Sequence, residues 1–429
     1  MMSDITFTGG ELKGTVSPPP SKSHTHRAII LSALSEGRCT VGNPLLSFDT
    51  RATMDAVRTL GAEVVEKENA LEIECARVHA PDRTIDVLNS GTTMRLMTGI
   101  SSLFDTEVTL TGDDSIKKRP MGPLLESLSA AGVKCTSSDG KPPVKVCGPI
   151  TGNELAINGD VSSQFVSSLI MASPLTGRRT TVKVRGKMVS KPYVDITTSM
   201  MKRFGVTVDS SFDEKDQCHY FLAEPQHYSP ADYTVPADFS SAAFPLVAGG
   251  LAGCISAQGM DLDDPQGDKK ILDILKNVGC RVTYGNGTVT CQRDGPLKAT
   301  DIDLADIPDL FPVVAVLMSV AKGTSRLYGA PHLRFKESDR IALTEKMLRT
   351  LGADITATSD GCVINGVENL HGGRIEHCGD HRMFMAAAVA SLVSDGPVVM
   401  EDDGCWNVSY PGFLEQMGSV GLRYTHSEI

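Results

Sequence analysis

Apolar and polar positions along this chain follow one pattern that returns six times. A stretch with apolar residues at helical spacing ends in a glycine, and the residues after the glycine alternate with period two. The copies read TMDAVRTLGAEVV, LLESLSAAGVKCT, TSMMKRFGVTVDS, ILDILKNVGCRVT, EKMLRTLGADITA and FLEQMGSVGLRYT. Their glycines, Gly61, Gly132, Gly205, Gly279, Gly352 and Gly421, stand 71, 73, 74, 73 and 69 residues apart. Glycine enters the left-handed conformation that ends a helix without a Cβ penalty, so each copy predicts a helix, its C-cap and a half-buried strand.

A second helix is predicted earlier in each repeat, opening on small or polar residues. The openings are Ser21-Lys22-Ser23, Asn89-Ser90-Gly91-Thr92, Ser162-Ser163-Gln164, Asp238-Phe239-Ser240-Ser241, Asp306-Ile307-Pro308-Asp309 and Asp380-His381-Arg382. Ser, Asn and Asp cap helix starts, and the free amides and positive dipole end there also attract anions. For any one opening the plain cap is the preferred reading; taken together, with basic residues beside several of them, the openings favour the anion. Six units of about seventy residues predict an α/β chain of two domains with three units each. The prolines Pro18-Pro19-Pro20 and the stretch Thr234-Val235-Pro236 mark the expected crossings. The first domain is then 1–20 plus 235–429 and the second 21–234, with a small-molecule site in a cleft between them.

Composition narrows the function. With 429 residues and 41% hydrophobic content, the chain can bury large cores, and aromatics at 5% make those cores aliphatic. A net charge of −11 argues against nucleic-acid binding, so any anion site is local. There is no run of eighteen uncharged apolar residues, and the opening residues lack a secretory leader's charge and apolar core, so no membrane partner is expected. Eleven cysteines without a C-x-x-C pair fit reduced thiols and a cytoplasmic location. No phosphate-binding P-loop, dinucleotide fingerprint, zinc spacing or calcium loop is present, so neither metal nor cofactor is expected.

The candidate chemistry lies at the helix mouths. Lys22, Ser23 and Arg27 combine a cation, a hydroxyl and a guanidinium four residues apart, suited to phosphate or carboxylate. Leu88-Asn89-Ser90-Gly91-Thr92-Thr93-Met94-Arg95 places a glycine where a ligand can approach the backbone. In Lys117-Lys118-Arg119-Pro120, the lysines read as exposed charge and Arg119 as the anion ligand. Asp160-Val161-Ser162-Ser163-Gln164 and Ser190-Lys191-Pro192-Tyr193 offer hydroxyls and an amide to a hydroxylated, charged ligand. In Arg334-Phe335-Lys336-Glu337-Ser338-Asp339-Arg340, helical spacing puts Lys336 and Arg340 on one face. Asp309 and Gly379-Asp380-His381-Arg382 complete the set.

These strings, S-K-S-x-x-x-R, N-x-G-T-x-x-R, K-R-P-M, D-V-S-S-Q, S-K-P-Y, K-E-S-D-R and D-H-R-M in this order, resemble the 5-enolpyruvylshikimate-3-phosphate (EPSP) synthase family from about Ser21 to the C-terminus. The resemblance implies two similar domains, each of three βαβαββ units (an inside-out α/β barrel), hinged by two crossovers. It implies transfer of the enolpyruvyl group of phosphoenolpyruvate to the 5-hydroxyl of shikimate 3-phosphate with loss of phosphate, by a monomer without metal or cofactor. By position, shikimate 3-phosphate falls to Lys22, Ser23, Arg27, Ser162, Ser163, Gln164, Ser190, Asp309, His332 and Lys336. Phosphoenolpyruvate falls to Lys22, Gly91, Arg119, Gln164, Arg340 and Arg382. Asp309 is implied as proton acceptor, Glu337 or Lys22 as proton donor, and His381 as a further catalytic residue. Asn89, Arg95, Tyr193 and Asp380 also match motif positions.

Two positions depart from the family pattern. His332 replaces an asparagine, and in Asn407-Val408-Ser409-Tyr410-Pro411 a valine stands where the pattern has lysine. The second implies a weaker hold on phosphoenolpyruvate, or another cation in its place, and an altered response to glyphosate, the family's known inhibitor. A related enolpyruvyl transferase acting on UDP-N-acetylglucosamine carries lysine-asparagine early and a loop cysteine; here Ser23 follows Lys22, and no cysteine accompanies Lys117-Lys118-Arg119. A non-catalytic binding protein on the same scaffold would bind both ligands and release no phosphate.

Overall fold

A computed structural model describes residues 3–427. All six repeat glycines are left-handed, with φ between +80° and +118°. The predicted strands follow them, and one comes late: Asp209–Asp213 starts four residues past Gly205, where the others start two or three past theirs. The cause is local. The Gln226 side chain accepts from the Thr207 amide and donates to the Thr207 carbonyl, both at 2.9 Å, so those groups are taken before a strand can use them.

Six four-stranded sheets share one topology, a parallel pair followed by two antiparallel pairings. The chain divides into two compact units, Met1–Pro19 with Pro236–Ile429, and Pro20–Val235. In the first unit, Ser3–Phe7 pairs antiparallel with Val398–Asp402 (Ile5 opposite Met400), and Leu12–Val16 runs parallel to Gly253–Gln258. In the second, Tyr233–Thr234 runs parallel to Arg38–Gly42. Strands distant in sequence thus complete one sheet of the second unit and two of the first.

Within each unit the helices that read apolar all round lie inside. Phe239–Ala252, Phe311–Ser319 and His381–Ala390 are buried almost throughout, as are Lys22–Leu34, Gly91–Ser101 and Ser163–Ala172. The sheets turn one face outward, as the alternation of exposed and buried residues along Lys141–Cys147 records. This α/β arrangement of three repeats per unit brings the helix mouths, with their polar residues, to defined places. Among the described residues no helix is long and apolar enough to cross a membrane, and all eleven cysteines are free.

Candidate active site

Four of the six predicted helix starts are capped by side chains. Ser90, Ser162, Asp238 and Asp380 accept from the amides of Thr93, Gln164, Ser241 and Arg382. The other two differ. The Ser21 hydroxyl turns to His24 Nδ1 at 2.9 Å. In the fifth repeat the α-helix waits until Phe311, and Asp309 lies in the preceding turn Pro308–Leu310, where its carboxylate is released from capping.

In the second unit, Lys22 Nζ is 2.9 Å from Asp49 Oδ2, a carboxylate only 9% exposed that the sequence reading did not single out. Behind this pair runs a buried chain of hydroxyls: His26 Nδ1 to Thr53 (2.6 Å), Thr53 to Thr93 (2.6 Å) and Thr93 to Ser90 (2.7 Å). Burial, then the charges of Lys22 and Arg27, holds the His26 ring well below its usual range, so it is neutral. The chain locks the helix of Lys22 to the one that Ser90 caps. At the mouth of the latter, Gly91 is so close to Arg119 that a Cβ would stand 2.3 Å from its Nη1. Arg95 Nη1 donates to Gln164 Oε1, and Gln164 Nε2 donates to Thr92 at 2.9 Å. Gly91, Arg95, Arg119 and Gln164 therefore share one locality, while Lys117 and Lys118 are exposed.

Arg27 is 1% exposed. Its Nε donates to Thr197 Oγ1 (2.7 Å), Nη1 to the Ser23 carbonyl (2.9 Å), and Nη2 to Ser167 Oγ (3.3 Å) and the Tyr193 carbonyl (3.2 Å). Every one of these acceptors is neutral, so the guanidinium charge is dissolved in dipoles rather than cancelled by a carboxylate. Burial lowers it to about 10. Arg27 thereby ties together the helices that begin beside Ser23, Ser163 and Ser190. Ser190 is itself left-handed (φ +55°), as are Leu88 (+52°) and Cys378 (+52°), each just ahead of a site motif. Five other non-glycine residues, Glu36, Asn43, Asp139, Gln217 and Asn286, share this conformation away from the site motifs, so it does not by itself mark the site.

In the first unit the charges converge on Asp309. Arg340 Nη1 reaches its Oδ1 at 2.8 Å, Arg382 Nη2 its Oδ2 at 3.1 Å, and Lys336 Nζ lies 3.6 Å away. Burial opposes ionisation of Asp309, but the Arg382, Lys336 and Arg340 charges outweigh it and hold the carboxyl well below the usual range. Arg340, 1% exposed, also reaches Glu337 (2.7 Å) and the fully buried Asp380 (2.9 Å), which accepts from Ser338 as well (2.8 Å). The expected shared helix of Lys336 and Arg340 is corrected here. The helix starts at Arg340 because Asp339 caps the Ala342 amide, and Lys336 lies in extended backbone before it. Both cations still meet at Asp309, through tertiary placement rather than helical spacing.

His381 is buried beside Arg382 in the first turn of His381–Ala390. His332 is buried with no hydrogen-bond partner at either ring nitrogen. Burial, then the Lys336 charge, lowers it to about 4, so the ring is neutral. Ser162, Ser163 and Ser190 stand at or just before their helix starts. The half-buried Val408 ends the short turn Cys405–Val408 and supplies no charge. Asp268 is a further residue the sequence did not flag. It accepts from Ser240, and burial together with the Asp309 charge raises it to about 7. No motif marked it, since its neighbourhood exists only after folding.

The assembled groups form two sets: cations and hydroxyls around Lys22, Arg27 and Arg119, and an ionised carboxylate held by three cations. Comparison with known proteins adds an identity to this chemistry. Residues 7–417 match the family described as EPSP synthase (3-phosphoshikimate 1-carboxyvinyltransferase). A 3-phosphoshikimate 1-carboxyvinyltransferase of Methanocorpusculum labreanum is 47% identical over 420 residues, 97% of this chain and 98% of that protein. One from Methanothermobacter thermautotrophicus is 41% identical over 431 residues, covering 98% and 99%. The solved EPSP synthase of Acinetobacter baumannii superposes with a TM-score of 0.82 at 27% identity, covering 99% of this chain and all of that one.

Proposed function

The chain belongs to the EPSP synthase family, and on that premise we propose that it moves the enolpyruvyl group of phosphoenolpyruvate onto the 5-hydroxyl of shikimate 3-phosphate, releasing phosphate. The observation that carries this reading is Asp309, a carboxylate kept ionised inside the protein by Arg340, Arg382 and Lys336. An ionised carboxylate among cations is a proton acceptor held in place rather than an acid.

The steps follow from the charges. Asp309 takes the proton of the 5-hydroxyl as its oxygen attacks C2 of phosphoenolpyruvate, and C3 gains a proton from Glu337 or Lys22. The tetrahedral adduct then loses phosphate, and the new methyl group returns a proton to the group that protonated C3, which forms the vinyl ether. Arg27, whose charge meets only neutral dipoles inside the protein, suits the dianionic end of shikimate 3-phosphate, with Ser23, Ser162, Ser163, Ser190, Gln164 and the neutral His332 around the rest of it. Arg119 and Gln164 beside Gly91, with Lys22, Arg340 and Arg382, receive phosphoenolpyruvate. Preorganised guanidinium groups stabilise charge without reorganising, so the scheme routes no step through a metal. His381, buried beside Arg382, is the further catalytic residue of the scheme, and one chain suffices. A cytoplasmic setting agrees with the eleven free thiols.

The test is Asp309→Asn, assayed for phosphate released from shikimate 3-phosphate and phosphoenolpyruvate. Loss of a general base predicts a fall in kcat of about 10²–10⁴-fold, larger than the accompanying loss of shikimate 3-phosphate affinity. A variant that turns over at the normal rate removes Asp309 from the chemistry.

A further inference from the structure

A second cluster of donor atoms lies in the first unit and has no part in the reaction above. His377 and Cys405 are buried, Asp403 flanks them, and one ligand atom from each falls within 4.8 Å of the others. Cys405 Sγ is 3.6 Å from His377 Nδ1, and Asp403 Oδ2 is 3.9 Å from the same nitrogen. The backbone carbonyl of Glu401 lies 2.9 Å from His377 Nε2, and the Gly379 amide donates to Nδ1 at 3.2 Å. Only one tautomer satisfies both contacts: Nε2 carries the hydrogen, and Nδ1 is an acceptor, taken by the Gly379 amide with the Cys405 sulfur 3.6 Å away. That is the state of a metal-binding imidazole, oriented by a carbonyl on its far nitrogen.

We propose that His377 Nδ1, Cys405 Sγ and Asp403 Oδ2 bind a borderline-soft divalent cation of the zinc class. Zinc–nitrogen and zinc–sulfur bonds of about 2.05 and 2.3 Å at a tetrahedral angle put the two ligands about 3.6 Å apart. The observed separation already matches. The corresponding nitrogen–oxygen edge is about 3.4 Å, so Asp403 closes by roughly half an ångström. Its Oδ1 accepts from the Cys405 amide at 2.9 Å, and the 23% exposed side chain pivots about that bond to bring Oδ2 in, which leaves the fourth position to solvent. One nitrogen and one sulfur select zinc or cobalt over magnesium and calcium, which need oxygen cages. On binding, the Cys405 thiol gives its proton to solvent and the sulfur forms the metal bond, and the Gly379 contact yields its place on Nδ1.

The site would fasten the turn 403–405 to the segment entering the helix of Arg382. The Asp380 amide bonds the His377 carbonyl at 2.9 Å, and Asp380 caps that helix. Trp406, the chain's only tryptophan, lies against Phe384 of the same helix at 4.7 Å between ring centroids. The separation of 28 positions between His377 and Cys405 hides the cluster from any local spacing rule.

The test is a cobalt(II) titration of the full chain after chelator treatment, following sulfur-to-cobalt charge-transfer absorption, with zinc added as competitor. One cobalt per chain with that absorption, displaced by zinc, is the expected result; no such band in the wild type overturns the site. Cys405→Ser should remove the band, Asp403→Asn should weaken binding at least about tenfold, and Cys378→Ser, altering the exposed neighbouring thiol, should change neither. A band lost in Cys378→Ser and kept in Cys405→Ser overturns the assignment. If Cys405→Ser fails to fold, by Trp406 fluorescence, Asp403→Asn decides the matter, and unweakened binding there rejects the proposal.

Discussion

Replacing Arg340 by methionine removes the cation on which three carboxylates depend, and their exposures set the cost. Glu337 is 31% exposed and turns to water at little expense. Asp309 keeps Arg382 and Lys336. Asp380 has no such escape: it is 0% exposed and retains only neutral donors from Ser338 and the Arg382 amide among its hydrogen bonds. Breaking a buried pair by removing one partner costs about 3–5 kcal/mol, and here most of it falls on Asp380. With a urea slope of about 2–3 kcal/mol per molar, the unfolding midpoint should drop by about 1–2 M at pH 8. Trp406 fluorescence is the assay, because the only tryptophan lies in the same unit and packs on the helix that Asp380 caps. The pH dependence gives an independent check. In the wild type, burial opposes Asp380 ionisation but the Arg340 charge wins and lowers its pKa, so its stabilisation is present above the unfolded value and lost as pH falls. In the variant, burial acts unopposed by Arg340 and raises the pKa, so stability is lost as pH rises. The gap between the two proteins should therefore be widest near pH 8 and narrow toward pH 4.5. A loss below about 1 kcal/mol, or a gap that widens on acidification, refutes the reasoning.

Two other perturbations test the site from different sides. Gly91→Ala puts a Cβ 2.3 Å from Arg119 Nη1, and the flexible guanidinium rather than the backbone must move; steady-state kinetics should show KM for phosphoenolpyruvate raised about 10–100-fold with the melting temperature nearly unchanged. Asp268 is raised to about 7 by burial and the Asp309 charge, so its folded state holds a proton more tightly than the unfolded chain and its contribution declines as pH climbs from about 4 to 7. Asp268→Asn keeps an acceptor for Ser240 and should gain stability over the wild type across that window, reaching about 3–5 kcal/mol by pH 8 and then levelling, as read by urea midpoints; a gain independent of pH would contradict it.

The repeat, the helix ends and the identity of the polar residues at the helix mouths were legible in one dimension because each depends on neighbours in the chain. A left-handed C-cap selects glycine whatever surrounds it, and an apolar run without a polar face has nowhere to go but the interior. Local spacing was less reliable where a side chain intervened, as Gln226 does at Thr207 and Asp339 does at the start of the Arg340 helix. What folding alone decided is which charges face each other. Asp49 reaches Lys22 from the next helix, Asp309 gathers cations from positions 336, 340 and 382, and Arg27 meets Ser167 and Thr197 across more than a hundred residues. Coulomb energy and desolvation depend on distance through space and on exclusion of water, and neither is encoded in the order of residues along a chain.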